Sequence, residues 1–151
     1  MNSLCIIPCG SRKIWDADPS AQGAYPARYA YVATLHRKCQ TYATQHDLSW
    51  VILSAKHGFL LPDDEVPGNY NVAFGTRHPE VISLDSLKAQ AEAKELNRFR
   101  RVVVLGGRKF RDVVPHIFTE AERIEYPLSG CTGIGYMLQR LDQAIHNHTE
   151  L

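Results

Sequence analysis

The sequence predicts an α/β fold: a three-layer α/β/α arrangement around a four-stranded, mainly parallel sheet. Two observations predict it. Strand-like and helix-like segments alternate along the chain, an order that places helices on both faces of a parallel sheet. The clearest strand, Ser49 to Ser54, is apolar and β-branched on both of its faces, as a strand covered from two sides must be.

The elements follow in order. Leu4 to Pro8 is the first strand, a short apolar run stopped abruptly by Pro8-Cys9-Gly10-Ser11. From Tyr25 to His46, the residues Tyr29, Val32, Ala33, Leu35, Tyr42 and Ala43 recur at mostly helical spacing with no glycine or proline after Pro26, which predicts the first helix. Ser49 to Ser54 is the second strand. Between Gly58 and Pro79, the residues Pro62, Pro67, Gly68, Asn69, Asn71 and Gly75 exclude a long regular element, and a loop of that length in a compact domain is usually functional. Ser83 to Arg98 is rich in helix formers, with Ser83 placed to cap its start. Arg101 to Leu105 is the third strand, closed by Gly106-Gly107. Phe110 to Glu122 reads as a helix that starts at or after Asp112-Val113, because Pro115 is tolerated only in a first turn. Ile124 to Tyr126 is a short fourth strand, and Gly133 to His146 is the closing helix.

Composition bounds the function. The 151 residues are 44% apolar and 22% charged, which fits a single domain over residues 1–151. Such a domain buries roughly two-thirds of its unfolded-chain surface, so its core needs no disulfide or metal. Lysine plus arginine number 17 against 16 acids, a formal charge of +1, which excludes a uniformly basic binder of nucleic acid or membrane. Any basic site is local. Cys5, Cys9, Cys39 and Cys131 match no zinc or disulfide framework, so reduced thiols are expected. The start of the chain is no signal peptide and no run is long enough for a membrane span, so a cytoplasmic monomer with no membrane contact is expected.

The chemistry gathers after the strands. Cys9-Gly10-Ser11-Arg12-Lys13, Ser54-Ala55-Lys56-His57-Gly58, Gly106-Gly107-Arg108-Lys109 and Ser129-Gly130-Cys131-Thr132-Gly133 each combine small residues with hydroxyls or cations. Open α/β sheets bind ligands beyond the carboxyl ends of their strands, and all four segments are expected there. Small residues free backbone N–H groups, and Arg12, Lys13, Lys56, Arg108 and Lys109 add positive charge, so the expected ligand carries phosphate. Arg98, Arg100, Arg101, Arg108, Lys109 and Arg111 form a basic stripe that could track a nucleic-acid backbone. The long loop supplies Asp63, Asp64 and Glu65, then Asn69-Tyr70-Asn71 and His78. Carboxylates near a phosphate site are costly unless they activate water or stabilise a developing cation. His57 is a candidate acid or base.

Other chemistries lack their signatures. No GxxxxGK[ST] loop occurs, and the glycines at 130, 133 and 135 run in the reverse of the dinucleotide spacing. The histidines make no ligand pair, so neither a metal nor another cofactor is expected.

Two segments carry a family likeness. Pro8-Cys9-Gly10-Ser11-Arg12-Lys13, and Leu53-Ser54-Ala55-Lys56-His57-Gly58-Phe59-Leu60 with Pro62-Asp63 and Tyr70-Asn71, resemble the small bacterial and phage domains of unassigned function that carry Cys-Gly-x-x-Lys and Ser-Ala-Lys-His-Gly-Leu-Leu motifs. The closing helix matches as well, in Pro127-Leu128-Ser129-Gly130 and Gly133-Ile134-Gly135. This family is similar in architecture to the uracil-DNA glycosylase superfamily and to peroxide-stress proteins of the YaaA type. The resemblance implies a uracil-DNA-glycosylase-like fold and base excision or a related nucleoside chemistry. It extends to an anti-phage DNA glycosylase acting on glucosylated hydroxymethylcytosine, which makes modified phage DNA the expected partner. One departure matters: relatives commonly have Tyr-Asp where this chain has Tyr70-Asn71, and an asparagine at 71 can place water or bond a base but cannot act as a strong base.

On this reading the enzyme flips a nucleotide into the strand-end pocket and hydrolyses its N-glycosidic bond. Backbone amides around Cys9, Gly10, Ser11 and Arg12 and around Ser129, Gly130 and Thr132, with Lys13, Gly107, Arg108 and Lys109, hold phosphates. Ser54 and Lys56 also line the substrate site. Tyr70 stacks on the base. Asp63 activates water or stabilises the oxocarbenium ion, Asn71 places the water, and His57 or Lys56 aids departure of the base. Asp16 and Asp18 are rivals for the role of Asp63, and Asp18-Pro19 resembles the Asp-Pro of uracil glycosylases. A Schiff base on Lys13 or Lys56 is a further route. The alternatives are a hydrolase or transferase on free nucleosides or nucleotides, which needs no arginine stripe, and a non-catalytic nucleotide or nucleic-acid sensor.

Overall fold

A computed structural model describes residues 3–151. The chain begins with β1 (Ser3–Pro8), then α1 (Ile14–Ala17), β2 (Tyr25–Pro26), α2 (Ala27–Ala30) and α3 (Thr34–Gln45). Next come β3 (Ser49–Ser54), β4 (Gly58–Leu60), β5 (Glu65–Val66) and α4 (Leu84–Ala93), then a 3₁₀ turn at Leu96–Arg98. The rest is β6 (Arg101–Val104), a 3₁₀ turn at Arg108–Asp112, α5 (Val114–Ile117), β7 (Arg123–Glu125) and α6 (Ile134–Asn147). Among these helices none is long and apolar enough to cross a membrane.

Five strands form the main sheet in the order β4-β3-β1-β6-β7. β3, β1, β6 and β7 run parallel, and β4 is antiparallel to β3. β2 and β5 make a separate two-residue ribbon. Side chains of a strand alternate between its faces, and the core divides accordingly. Leu4 and Ile6 of β1 and Val102 and Val104 of β6 pack on one face with Leu87 and Ala91 of α4 and with Val114 and Ile117 of α5. Cys5, Ile7 and Val103 pack on the other with Cys39, Tyr42 and Ala43 of α3 and Leu141 of α6. Both faces are covered, which is why these strands read as unbroken apolar runs. The four cysteines are free thiols, Cys5 and Cys39 within the core.

The sheet has five strands where the sequence predicts four. The addition is β4, three residues that form a hairpin with β3 inside the segment expected to be loop. Its outer edge is covered by α4: Gln90 Oε1 accepts the Phe59 N–H at 2.8 Å, Gln90 Nε2 donates to the His57 carbonyl at 2.9 Å, and Lys94 Nζ donates to the Phe59 carbonyl. Unpaired strand groups are thereby satisfied by side chains. Gly58 sits at φ +74°, where a Cβ would lie 2.0 Å from Gln90 Oε1, so a residue with a side chain fails there twice.

Three expected helices are broken; that over Ser83 to Arg98 ends at Ala93, with Glu95 at φ +58° before the 3₁₀ turn. The stretch from Tyr25 to His46 splits at Tyr31–Ala33, because Tyr31 bridges to Lys13 and the Val32 N–H donates to the Arg12 carbonyl at 3.1 Å. Phe110 to Glu122 holds only a 3₁₀ turn and the four residues of α5, with Pro115 in its first turn. Ser83 caps α4 as expected, its hydroxyl accepting the Ser86 N–H at 3.1 Å.

Candidate functional site

The carboxyl ends of β1, β3 and β6 open into a cavity of about 590 Å³. Its floor and walls come from Cys9 to Ser11 and Lys13 after β1, Leu53 and Ala55 at the end of β3, and Gly107 to Phe110 after β6. Asn71 to Phe74 of the long loop and Ile134 of α6 close the remaining sides. Two glycines make this convergence possible. Gly10 has φ +73° and a Cβ there would lie 2.9 Å from Ala33 Cβ; one at Gly106 would lie 2.0 Å from Phe110 Cδ2. Without side chains at these positions, the first loop turns sharply and the Phe110 ring folds over the end of its strand.

The cavity is largely apolar, walled by Val72, Phe74 and Phe110, with the Phe74 and Phe110 rings edge to face at 6.1 Å. Arg108 and Lys109 are exposed and line it, so cations meet an aromatic wall. Beside it lies an open pocket of about 500 Å³ lined by Ser11, Asp16, Asn69, Tyr70 and Asn71; Ser11 and Asn71 border both spaces. Asp16 Oδ2 accepts the Lys13 N–H at 2.9 Å, and Oδ1 accepts from Asn69 Nδ2 at 2.8 Å. These bonds, the Lys13 amide first, hold the Asp16 carboxyl below the ordinary aspartate range, so it is ionised at neutral pH.

Behind both spaces, Tyr70 anchors a polar cluster. Its hydroxyl lies 2.6 Å from Ser54 Oγ and 2.5 Å from the Tyr31 hydroxyl. Burial pushes both phenols up, Tyr31 to about 12, so both stay neutral. Lys13 Nζ stands 4.2 Å from the centre of the Tyr70 ring, Lys56 Nζ at 5.6 Å, and His57 meets the ring edge-on at 4.9 Å. Lys13 is only 3% exposed, and its Nζ donates to the Ser11 carbonyl at 2.9 Å. Burial lowers its pKa while Cys9 and Asp16 oppose the shift. Burial likewise raises the Cys9 thiol, against the pull of Lys13. Ser54 Oγ also accepts the Lys56 and His57 N–H groups at 3.2 and 3.1 Å, which fixes the hairpin turn. Desolvation and then Lys56 lower the His57 pKa, partly countered by Glu80.

The expected site residues therefore separate into groups. Cys9, Gly10, Ser11, Lys13, Asn71, Gly107, Arg108 and Lys109 share the cavity. Ser54, Lys56, His57 and Tyr70 form the cluster behind it, and the Tyr70 ring already carries Lys13, so the aromatic rings that line the cavity are Phe74 and Phe110. Arg12 is exposed on the same loop. Asp63 lies outside: its carboxylate is 82% exposed and paired with Arg28 at 2.9 Å. Asp18 bonds Ser20 at the surface, whereas Asp16 borders the site. Gly130 and Thr132 line a different depression on α6, and Ser129 is exposed before it, so three of the four post-strand segments converge rather than all four.

The basic stripe is also divided. Arg101 starts β6 and Arg108 comes after its other end, with the strand's length of about 13 Å and Leu105 to Gly107 between them. Arg100 pairs with Glu122 at 3.2 Å and Arg101 with Glu125 at 2.9 Å, while Arg98 and Arg111 lie over the Phe99 and Tyr126 rings. Only Arg108 and Lys109 of the stripe reach the cavity. Phe74 and Phe110 are the site residues the sequence reading omits; the one signal for them is that they are apolar in segments otherwise polar and turn-rich.

A family model described as a family of unknown function, DUF6884, matches residues 5–143. The protein YfjM of Bacillus subtilis (strain 168), itself uncharacterised, is 49% identical over 151 residues, which is 100% of both chains. The crystal structure of AF0587, a protein of unknown function, aligns with 96% of this chain at 19% identity and a TM-score of 0.40, and the alignment spans 44% of that longer chain.

Proposed function

The chain belongs to the DUF6884 family, a family of unknown function, and we propose that it is a DNA glycosylase which takes a flipped nucleotide into the strand-end cavity and hydrolyses its N-glycosidic bond. One observation carries the reading: an aromatic-walled cavity rimmed by Arg108 and Lys109 adjoins an ionised Asp16, with Asn71 bordering both spaces. A base is flat and apolar on its faces and suits the apolar wall that Phe74 and Phe110 form together. A phosphodiester is anionic and suits the two cations and the amides of the Cys9 to Arg12 loop.

Roles follow from position. Asp16, rather than Asp63, orients a water placed with the help of the Asn71 amide. As the C1′–N bond breaks, its electron pair leaves with the base, and the Asp16 carboxylate faces the oxocarbenium charge. The water oxygen then bonds C1′ as Asp16 takes its proton, giving an abasic sugar; the departed base takes up a proton and Asp16 returns its own to solvent. Lys13, in the wall of the cavity, stabilises the departing anion. The motif segments resemble those of small bacterial and phage domains of unassigned function, a family similar in architecture to the uracil-DNA glycosylases; that resemblance favours the same reading, with glucosylated hydroxymethylcytosine in phage DNA as the candidate base.

The test is incubation with plain DNA, uracil-containing DNA, and phage DNA carrying hydroxymethylcytosine with and without glucose, followed by assay of abasic sites. Abasic product from at least one modified DNA is expected. No product from any of them rejects the reading. The pairing of Arg100 and Arg101 far from the cavity favours one alternative, a hydrolase or transferase on free nucleosides or nucleotides, since few cations then remain for a long strand. Base release from a free nucleoside, with none from DNA, would select it.

A further inference from the structure

Residues Ile134, Met137, Leu141 and Ala144 fall on one stripe of α6. Met137, Leu141 and Ala144 are buried in the core, but Ile134 is 62% exposed and lines the cavity, because the helix begins at the carboxyl edge of the sheet. Tyr136, two residues on, is 60% exposed and faces a second groove with Arg140 and Gln143, one and two turns further along. With Gly130 and Thr132 these residues enclose about 400 Å³, and no carboxylate is among those lining the groove. The cavity and the groove thus lie on opposite sides of the first turn of α6, with Ile134 and Tyr136 about 200° apart around its axis.

Among the described residues, the cations beside the cavity and the groove have no acid partner, as is also true of Arg12, Arg37, Arg77, Lys88, Arg98 and Arg111. Arg100, Arg101 and Arg123, around the amino ends of β6 and β7, pair with Glu122, Glu125 or Glu150. Among the described residues, Arg108, Lys109 and Arg140 make no salt bridge, although all three line the cavity or the groove. The first turn of α6 holds no acid, and its N-cap Gly133 offers no capping side chain. Exposed aromatic area, unpaired cations and uncapped amides in one acid-free groove match a polyanion with stacking faces.

We infer that this groove carries the strand flanking the nucleotide in the cavity, with Tyr136 stacked on a neighbouring base and Arg140 on its phosphate. The inference rests on the nucleic-acid reading above and adds a contact surface to it. The probe is a short fluorescein-labelled single-stranded oligonucleotide, followed by anisotropy at about 50 and about 200 mM salt. Tyr136→Ala is expected to weaken binding about tenfold and Tyr136→Phe to leave it near wild type. Arg140→Gln is expected to reduce the log–log salt slope by about one. Tyr29→Ala removes an aromatic ring that is 63% exposed but outside the groove, and it should change nothing. Equal affinity in wild type, Tyr136→Ala and Arg140→Gln overturns the inference, as does a wild-type protein that binds no oligonucleotide. Abasic-site release by the wild-type protein judges the glycosylase reading separately, since excision with unchanged binding in the variants removes only the groove.

Discussion

The Tyr70 hydroxyl lies 2.6 Å from Ser54 Oγ, tying the long loop after β4 to the last residue of β3. Ser54 is fully buried and also accepts two turn amides, and Tyr31 completes the cluster. Removing the Tyr70 hydroxyl leaves two buried hydroxyls short of a partner. Tyr70→Phe is therefore expected to cost about 1–3 kcal/mol, read as a lower midpoint in urea at unchanged slope. A midpoint equal to wild type would mean that the cluster does not hold the loop.

Much of this fold is legible in the sequence because β1, β3 and β6 are buried on both faces, so composition alone marks them. Ser83 is legible because an N-cap acts locally. β4 is not, since Gly58-Phe59-Leu60 is too short to show a period and its edge is satisfied by Gln90 and Lys94 from a distant helix. The break at Tyr31–Ala33 is hidden for the same reason: Lys13 and Arg12 cause it from another loop. In the site, glycine-rich loops after strands are visible as a pattern. Which aspartate borders them is not, because Arg28 draws Asp63 outward while the Lys13 amide holds Asp16 in place.

That difference makes the two aspartates a paired test. Asp16→Asn keeps the size of the side chain and loses its charge, so excision should fall about 10²- to 10⁴-fold, the range for a lost general base. Asp63→Asn breaks only an exposed ion pair and should leave excision within a factor of about two and stability within about 0.5 kcal/mol. Single-turnover rates on the active DNA substrate decide it. Equal losses in both variants would remove Asp16 from its role.

The division of the basic stripe is testable by the same logic. Arg108→Gln with Lys109→Gln should raise KM for DNA and flatten its salt dependence by about two phosphate contacts. Arg100→Gln should change neither, because its guanidinium pairs with Glu122 away from the cavity. Unchanged KM and salt slope in the Arg108 and Lys109 variant would mean that these two cations do not hold the DNA phosphates.

Hydrolysis leaves no covalent link to the enzyme. Lys13 Nζ is tied to the Ser11 carbonyl at 2.9 Å and stands over the Tyr70 ring, contacts that a nucleophile would have to give up, while its lowered pKa makes it the lysine on which a Schiff base is tested. Borohydride added during turnover should trap no protein–DNA adduct. An adduct that disappears in Lys13→Ala would replace hydrolysis by a Schiff-base route.

Acid should destabilise the fold through His36. Its ring is fully buried under the end of β1, with Nδ1 2.8 Å from the Pro8 carbonyl and Nε2 2.6 Å from Gln40 Nε2. An amide nitrogen donates, so Nε2 accepts and Nδ1 carries the proton to Pro8. A second proton would set donor against donor, and burial, aided by Arg37, holds the pKa down to about 4 despite the Pro8 carbonyl. In the unfolded chain the same ring titrates near its ordinary value of about 6.5. Between those values the unfolded state binds the proton and the folded state does not. The stabilisation is thus complete above about pH 6.5 and is lost as pH falls toward 4, by about 2 kcal/mol between pH 7 and 5. The depressed His57 adds in the same direction. Urea unfolding of wild type and His36→Gln at both pH values isolates the effect. The variant should be the less stable protein at pH 7 and lose less on acidification, whereas equal losses would show that His36 is not held neutral.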